Sequence, residues 1–198
     1  MVTRQACAAV GQSLLMEAYK NLFAAWGVRV AQVLLTEEDF TNWGRYTNLR
    51  RTIERLLRFK VLPIVNENDT VSTRELESVA SKTRNAPFSD NDRLAALVMS
   101  GLEADALVLL TNVDGLLGRS ASETGGTSNE RAWSEVIPLI EEVTAELRNL
   151  AAGPSPSGRG GMITKLEAAE IAMNCGGTAV IANGQSPKVL DRVFAGDQ

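Results

Sequence analysis

Ala106-Leu107-Val108-Leu109-Leu110-Thr111-Asn112-Val113-Asp114-Gly115 is the stretch on which the fold turns. Its apolar half is short and unbroken, which suits a parallel strand buried on both faces rather than an amphipathic surface strand. Its polar half begins abruptly at Thr111. In open sheets of parallel strands, ligands sit just beyond the carboxyl ends of the strands, so Thr111 to Gly115 is a strand exit and a place to seek chemistry. Taken alone, Asp114-Gly115 reads as a tight turn.

Outward from this strand, the same alternation repeats. Leu94 to Leu102 has helical periodicity before it, and a weaker helix near Leu139 to Leu150 follows it. Ser120 to Asn129 and Ala151 to Gly161, rich in Gly, Ser, Thr and Pro, are predicted loops. Thr164 to Cys175 is a predicted helix, Thr178 to Ala182 a strand, and Pro187 to Phe194 a last short helix. Toward the amino terminus, Val61 to Val65 and Val28 to Leu35 are predicted strands. Between them Leu49, Ile53, Leu56 and Leu57 mark one helix face, with Arg50, Arg51, Arg55 and Arg58 on the other. From Gln5 to Ala25, the residues Ala6, Val10, Leu14, Leu15, Ala18, Leu22 and Phe23 recur at the period of a buried helix face, and Gly27 stops it. Asn66 to Pro87 is polar and aperiodic, a long excursion. Helix and strand in alternation predict an α/β fold with a mainly parallel sheet covered by helices.

The 198 residues are 44% hydrophobic, 22% charged and 5% aromatic, the balance of one globular domain. The net charge of -4, with no concentration of Lys or Arg, argues against nucleic acid as a partner. Trp26, Trp43 and Trp133 are scattered and read as packing residues rather than a base-stacking platform. The chain has 2 cysteines, Cys7 and Cys175, and no histidine, which removes most zinc sites and every Ser-His or Cys-His pair; no metal-ligand set is predicted. No window approaches the roughly 18 apolar residues of a membrane span, and Met1 to Val10 has no secretory pattern, so a cytoplasmic protein without a membrane partner is expected.

Three polar clusters follow strands: Asn66-Glu67-Asn68-Asp69, Thr111 to Gly115, and Asn183-Gly184. Two more open helices. In Gly160-Gly161-Met162-Ile163-Thr164-Lys165, adjacent glycines permit close backbone approach, and the amides of a helix start favour an anion such as phosphate. Thr164 and Glu167 have capping-box spacing, which would begin the helix at Lys165; the segment could equally be an ordinary structural cap. Ser89-Asp90-Asn91-Asp92 likewise reads either as a cap or as a group able to hold an amine, a hydroxyl or a magnesium-bound water.

Together with Gln5-Ala6-Cys7-Ala8-Ala9-Val10-Gly11-Gln12 and Pro63-Ile64-Val65, these clusters resemble, in order, the glutamate 5-kinases of the amino acid kinase superfamily. The resemblance implies a three-layer sandwich and transfer of a phosphoryl group from ATP, with Mg2+, to the side-chain carboxylate of L-glutamate, the first step of proline synthesis. It implies that Asp69 and Asn91 bind glutamate and that Thr111 and Asn112 contact the nucleotide, Asn112 standing where Asp is frequent. Arg159, Gly160, Gly161, Met162, Ile163, Thr164 and Lys165 resemble the ATP loop. Lys165 would touch the transferring phosphoryl group, Asp92 would hold the catalytic lysines, and the protein would be a homo-oligomer. A carboxylate needs no general base, which suits a chain without histidine.

The family's opening strand, with its Lys and Gly-Thr-Ser segment, and its Ser-Gly-Ala turn do not occur before Gln5. Residues 1–198 are therefore expected to be a partial domain, incomplete at the amino terminus. A noncatalytic relative that retains the binding contacts, and a sister kinase for another acid, are the alternatives.

Overall fold

A computed structural model describes residues 2–71, 91–119, 133–151 and 161–196. The chain divides into two compact units, Met1–Leu94 and Ala95–Gln198.

In the first unit, helix α1 (Val2–Ala24) leads to strand β1 (Arg29–Leu35), a helical turn α2 (Glu38–Thr41), helix α3 (Trp43–Arg58) and strand β2 (Val61–Glu67). The two strands pair in parallel, from Arg29 opposite Val61 to Leu35 opposite Glu67. Parallel neighbours need a crossover, and α3 supplies it by burying Ile53 and packing on β2. Its first turn is capped by Asn42, whose side chain accepts from the Arg45 amide at 3.1 Å. Before it, the exit from β1 is clipped. Asp39 accepts from the Thr36 amide at 2.7 Å and from Arg45 Nε at 2.9 Å. Partial burial of the Asp39 carboxyl works against its ionisation. The hydrogen bonds from Thr36 and Arg45, with the Arg45 charge, outweigh that and hold Asp39 below the usual carboxylate range.

Helix α1 forms as expected, but the face predicted to be buried is not. No residue of α1 is buried, and Val10, Leu14 and Leu22 are each more than 60% exposed. The half-buried residues are Gln5, Ala8, Gln12, Met16, Tyr19 and Phe23, a stripe at three- and four-residue spacing that shares only Phe23 with the predicted one. Apolar side chains surround this helix, so periodicity alone does not choose the inward side. Trp26 and Trp43 are also exposed rather than packed.

In the second unit, strand β3 (Ala106–Thr111) pairs in parallel with β6 (Thr178–Asn183), ending with Thr111 opposite Asn183. Helix α4 (Asn91–Leu102), whose first residues belong to the first unit, leads into β3; helix α6 (Met162–Asn174) leads into β6. Ala96 and Met99 of α4, Ala168 and Ala172 of α6, and Leu107 and Leu109 of β3 form one buried cluster. Because side chains alternate along a strand, that cluster takes one face of β3. The expectation of burial on both faces fails there: Leu110, facing the other way, is 48% exposed. Strands β4 (Leu117–Arg119) and β5 (Trp133–Val136) form an antiparallel pair that periodicity did not reveal. Gly115 lies beside it, where a Cβ would sit 2.7 Å from Val136 Cγ1, so a side chain there would force Val136 to shift. A second cluster gathers Leu116, Leu166 and Ala151, the last from helix α5 (Ala145–Ala151), which is shorter than the Leu139 to Leu150 helix expected. The chain ends with helix α7 (Val189–Ala195).

Among the described residues the sheets are three two-stranded pairs. No described helix is long and apolar enough to cross a membrane.

Candidate functional site

In the first unit the polar residues gather at the carboxyl end of the β1–β2 pair. Strand β2 runs two residues farther than its apolar core suggests, so Asn66 and Glu67 are rungs opposite Leu34 and Leu35 rather than loop. The ladder continues to satisfy backbone groups there, and the Asn68 amide still donates to Leu35 O at 2.8 Å. The chain then turns. Val71 N donates to Asn68 O at 3.2 Å, and the Thr70 hydroxyl donates to Asn68 Oδ1. This places Asp69 at the tip of the turn, exposed. Behind it, Asn66 Nδ2 donates at 3.0 Å to Gln12 Oε1 of α1. Asn91, exposed, and Asp92, half-buried, occupy the first turn of α4. Ser89 and Asp90, the proposed cap before them, lie outside the described residues.

The second unit has its own cluster at the ends of β3 and β6. Thr111 O accepts from the Gly184 amide at 2.8 Å, Asn183 Nδ2 donates to Asp114 Oδ1 at 2.9 Å, and Asn183 Oδ1 accepts from the Gln185 amide at 2.9 Å. The two strands are thus tied together where they stop. Asn112 is exposed beside Thr111.

Helix α6 brings a charge to the same end of this pair. It has 13 residues and is about 20 Å long at 1.5 Å per residue. The 6 residues of β6 span about 20 Å as well. A tight turn at Gly176-Gly177 joins them, so the helix runs back along the strand and its amino terminus arrives level with Asn183.

That terminus is organised differently from the capping box expected. Gly161 is the N-cap and the helix begins at Met162, placing Thr164 inside the first turn. The Thr164 hydroxyl donates back to Gly161 O at 2.9 Å. Helix geometry leaves the leading amides of Met162 and Ile163 without intrahelical acceptors, at the positive end of the helix dipole. Their side chains meanwhile pack on the Leu116 cluster, which anchors the turn. Gly161 has an ordinary negative φ, and a Cβ built there would meet nothing within 4 Å. Neither strain nor crowding by the described residues demands glycine at 161. Lys165, half-buried, follows in the same turn. Arg159 and Gly160 lie outside the described residues.

The predicted residues therefore fall into two groups, Asp69, Asn91 and Asp92 in one unit and Thr111, Asn112 and Gly161 to Lys165 in the other. Sequence reading quoted Gln12 and Asn183 but assigned a role to neither. A polar residue at the centre of the half-buried stripe would have revealed the first, and its place on the last rung of β6 the second. No group of three His, Cys, Asp or Glu residues suited to caging a metal occurs among the described residues.

Comparison with known proteins identifies relatives of the chain. The glutamate 5-kinase of Myxococcus xanthus is 46% identical over 194 residues, which is 98% of this chain and 47% of that protein. Those of Geobacter sulfurreducens (43% over 194 residues) and Caldanaerobacter subterraneus (41% over 198) also cover 98% of this chain, and 48% of their own length aligns. The chain spans about half the length of the curated relatives it matches. The model of the amino acid kinase family matches residues 1–183, which takes in both strand-end clusters and the start of α6. On that match, and on relatives sharing more than two-fifths of its residues, the chain belongs to the amino acid kinase family.

Proposed function

We propose that this chain carries the phosphoryl-transfer site of a glutamate 5-kinase, which moves the terminal phosphoryl group of ATP to the side-chain carboxylate of L-glutamate, opening proline biosynthesis. The observation that carries the reading is the second unit's cluster: a helix amino terminus with open backbone at Gly161, followed by Lys165, level with the tied ends of β3 and β6. Such a terminus suits the phosphates of a nucleotide. The relatives' names supply the acceptor.

In this reading Thr111, Asn112 and the segment from Arg159 to Lys165 hold ATP. Lys165 stabilises charge on the group in flight, and Asp92 has the role that the resemblance implies, holding the family's catalytic lysines. Asp69 and Asn91 bind glutamate through its ammonium and carboxylates. The glutamate carboxylate attacks phosphorus directly, the bond to the ADP oxygen breaks, and no proton has to move. A magnesium ion would be carried on the phosphates and waters. We infer further that both parallel pairs belong to the three-layer sandwich of the family, that residues 1–198 are part of a longer domain, and that the protein is a cytoplasmic homo-oligomer.

The test is glutamate-dependent release of ADP with the acyl phosphate trapped by hydroxylamine. Turnover by the wild-type chain and its loss by at least about 100-fold in Lys165→Ala, with the fold intact, is expected. Full activity in Lys165→Ala would remove the role given to this lysine. Turnover with another acid but not with glutamate would reassign the substrate.

A further inference from the structure

We propose that Gln12 is a positioning residue for the acceptor-substrate cluster, acting through Asn66; the inference rests on the reading of that cluster as the glutamate site. Gln12 is the middle polar member of the half-buried stripe of α1, and its Oε1 accepts from Asn66 Nδ2 at 3.0 Å. Asn66 is the next-to-last rung of β2, and the turn bearing Asp69 begins two residues beyond it. An amide is planar, so a hydrogen bond that fixes Nδ2 also fixes the direction in which Oδ1 faces. Gln12 thereby sets Asn66 Oδ1 as an acceptor beside the Asp69 turn, where an amino acid's ammonium needs acceptors.

The same contact has a cost that identifies its purpose. Gln12 Nε2 is buried and has no hydrogen-bond partner among the described residues. A buried donor left unsatisfied is unfavourable, so an apolar side chain of equal length would serve α1 packing as well or better. What an apolar side chain cannot do is accept from Asn66. Gln12→Met should therefore separate two properties that a merely structural residue would change together.

The experiment uses the full chain with Gln12→Met, Gln12→Glu and Asn66→Ala. Glu retains an acceptor for Asn66 and lacks the orphaned donor. For Gln12→Met, KM for glutamate should rise roughly 3- to 10-fold, the equivalent of one net hydrogen bond, with KM for ATP and the melting temperature unchanged. Gln12→Glu should return KM for glutamate to near wild type. Added to Asn66→Ala, Gln12→Met should have no further effect.

Hydrogen exchange at the Asn68 amide, bonded to Leu35 O, and at the Val71 amide, bonded to Asn68 O, should accelerate in Gln12→Met and not in Gln12→Glu. Unchanged exchange and KM in Gln12→Met, an equal rise in KM with Gln12→Glu, or an effect that adds to Asn66→Ala would each overturn the proposal. If the wild-type chain does not turn over glutamate, the functional reading fails, and the exchange data still decide whether Gln12 positions Asn66.

Discussion

Gly177 sits in the turn that sends α6 into β6, and replacing it with alanine should destabilise the second unit by a predictable route. A Cβ there would lie 2.0 Å from Met99 Cε and 3.3 Å from the carbonyl oxygens of Ala104 and Asp105. Carbon atoms in contact settle at about 3.5–4.0 Å, so the methionine tip must retreat by about 1.5 Å or more. The carbonyls, being backbone, prevent the new methyl from tipping aside. Met99 is flexible but 4% exposed within the β3 cluster, so its retreat displaces packed neighbours. Overpacking of this kind costs about 1–3 kcal/mol, against which a shorter list of unfolded conformations returns about 0.4–1 kcal/mol. The expected net loss for Gly177→Ala is about 1–2 kcal/mol. Urea unfolding should show it as a lower midpoint at constant slope, and exchange of the β3–β6 ladder amides localises it to this unit. In a Met99→Leu background, which removes Cε, the cost should shrink. A neutral or stabilising Gly177→Ala, or the same cost in both backgrounds, would refute the clash.

Other expectations follow from single contacts. Leu166, 1% exposed, anchors the cluster beneath the α6 start, and Leu166→Ala should cost about 2–5 kcal/mol in thermal or urea unfolding. Asn183→Ala removes the donor to Asp114 and the acceptor for Gln185. It should raise KM for ATP roughly 3- to 10-fold without altering KM for glutamate. Asp39 is held below its ordinary value of 3.8, so its contribution to stability is present above that value and is lost as pH falls through the lower folded value. Asp39→Asn should therefore be less stable than wild type at neutral pH and converge with it in acid. By contrast, Arg148→Ala, which breaks a half-exposed pair with Glu170, should cost less than about 1 kcal/mol.

The fold was legible where a short apolar run had one possible partner geometry. Val61 to Val65 and Ala106 to Leu110 could hardly be anything but strands, and their polar exits were recognisable as candidate sites. What the pattern could not supply was the direction in which an all-round apolar helix faces, hence the misplaced α1 stripe and the unassigned role of Gln12. Nor could it show that a ladder continues through Asn66 and Glu67, because hydrogen bonding to β1 overrides their turn preference. The capping-box reading failed for a related reason. Thr-x-x-Glu spacing is satisfied inside a helix as readily as at its start, and anchoring by Met162 and Ile163 began this one three residues earlier.

The flush ending of each parallel pair, Leu35 with Glu67 and Thr111 with Asn183, bears on how such a protein can change over evolutionary time. Asn66, Glu67, Thr111 and Asn183 occupy fixed rungs, so a substitution at one of these strand ends alters its chemistry without moving its neighbours. Loss or gain of one residue within β1, β2, β3 or β6 would instead turn every later side chain to the opposite face. Insertions and deletions are accordingly expected in the connections, while the strand ends can vary only one rung at a time.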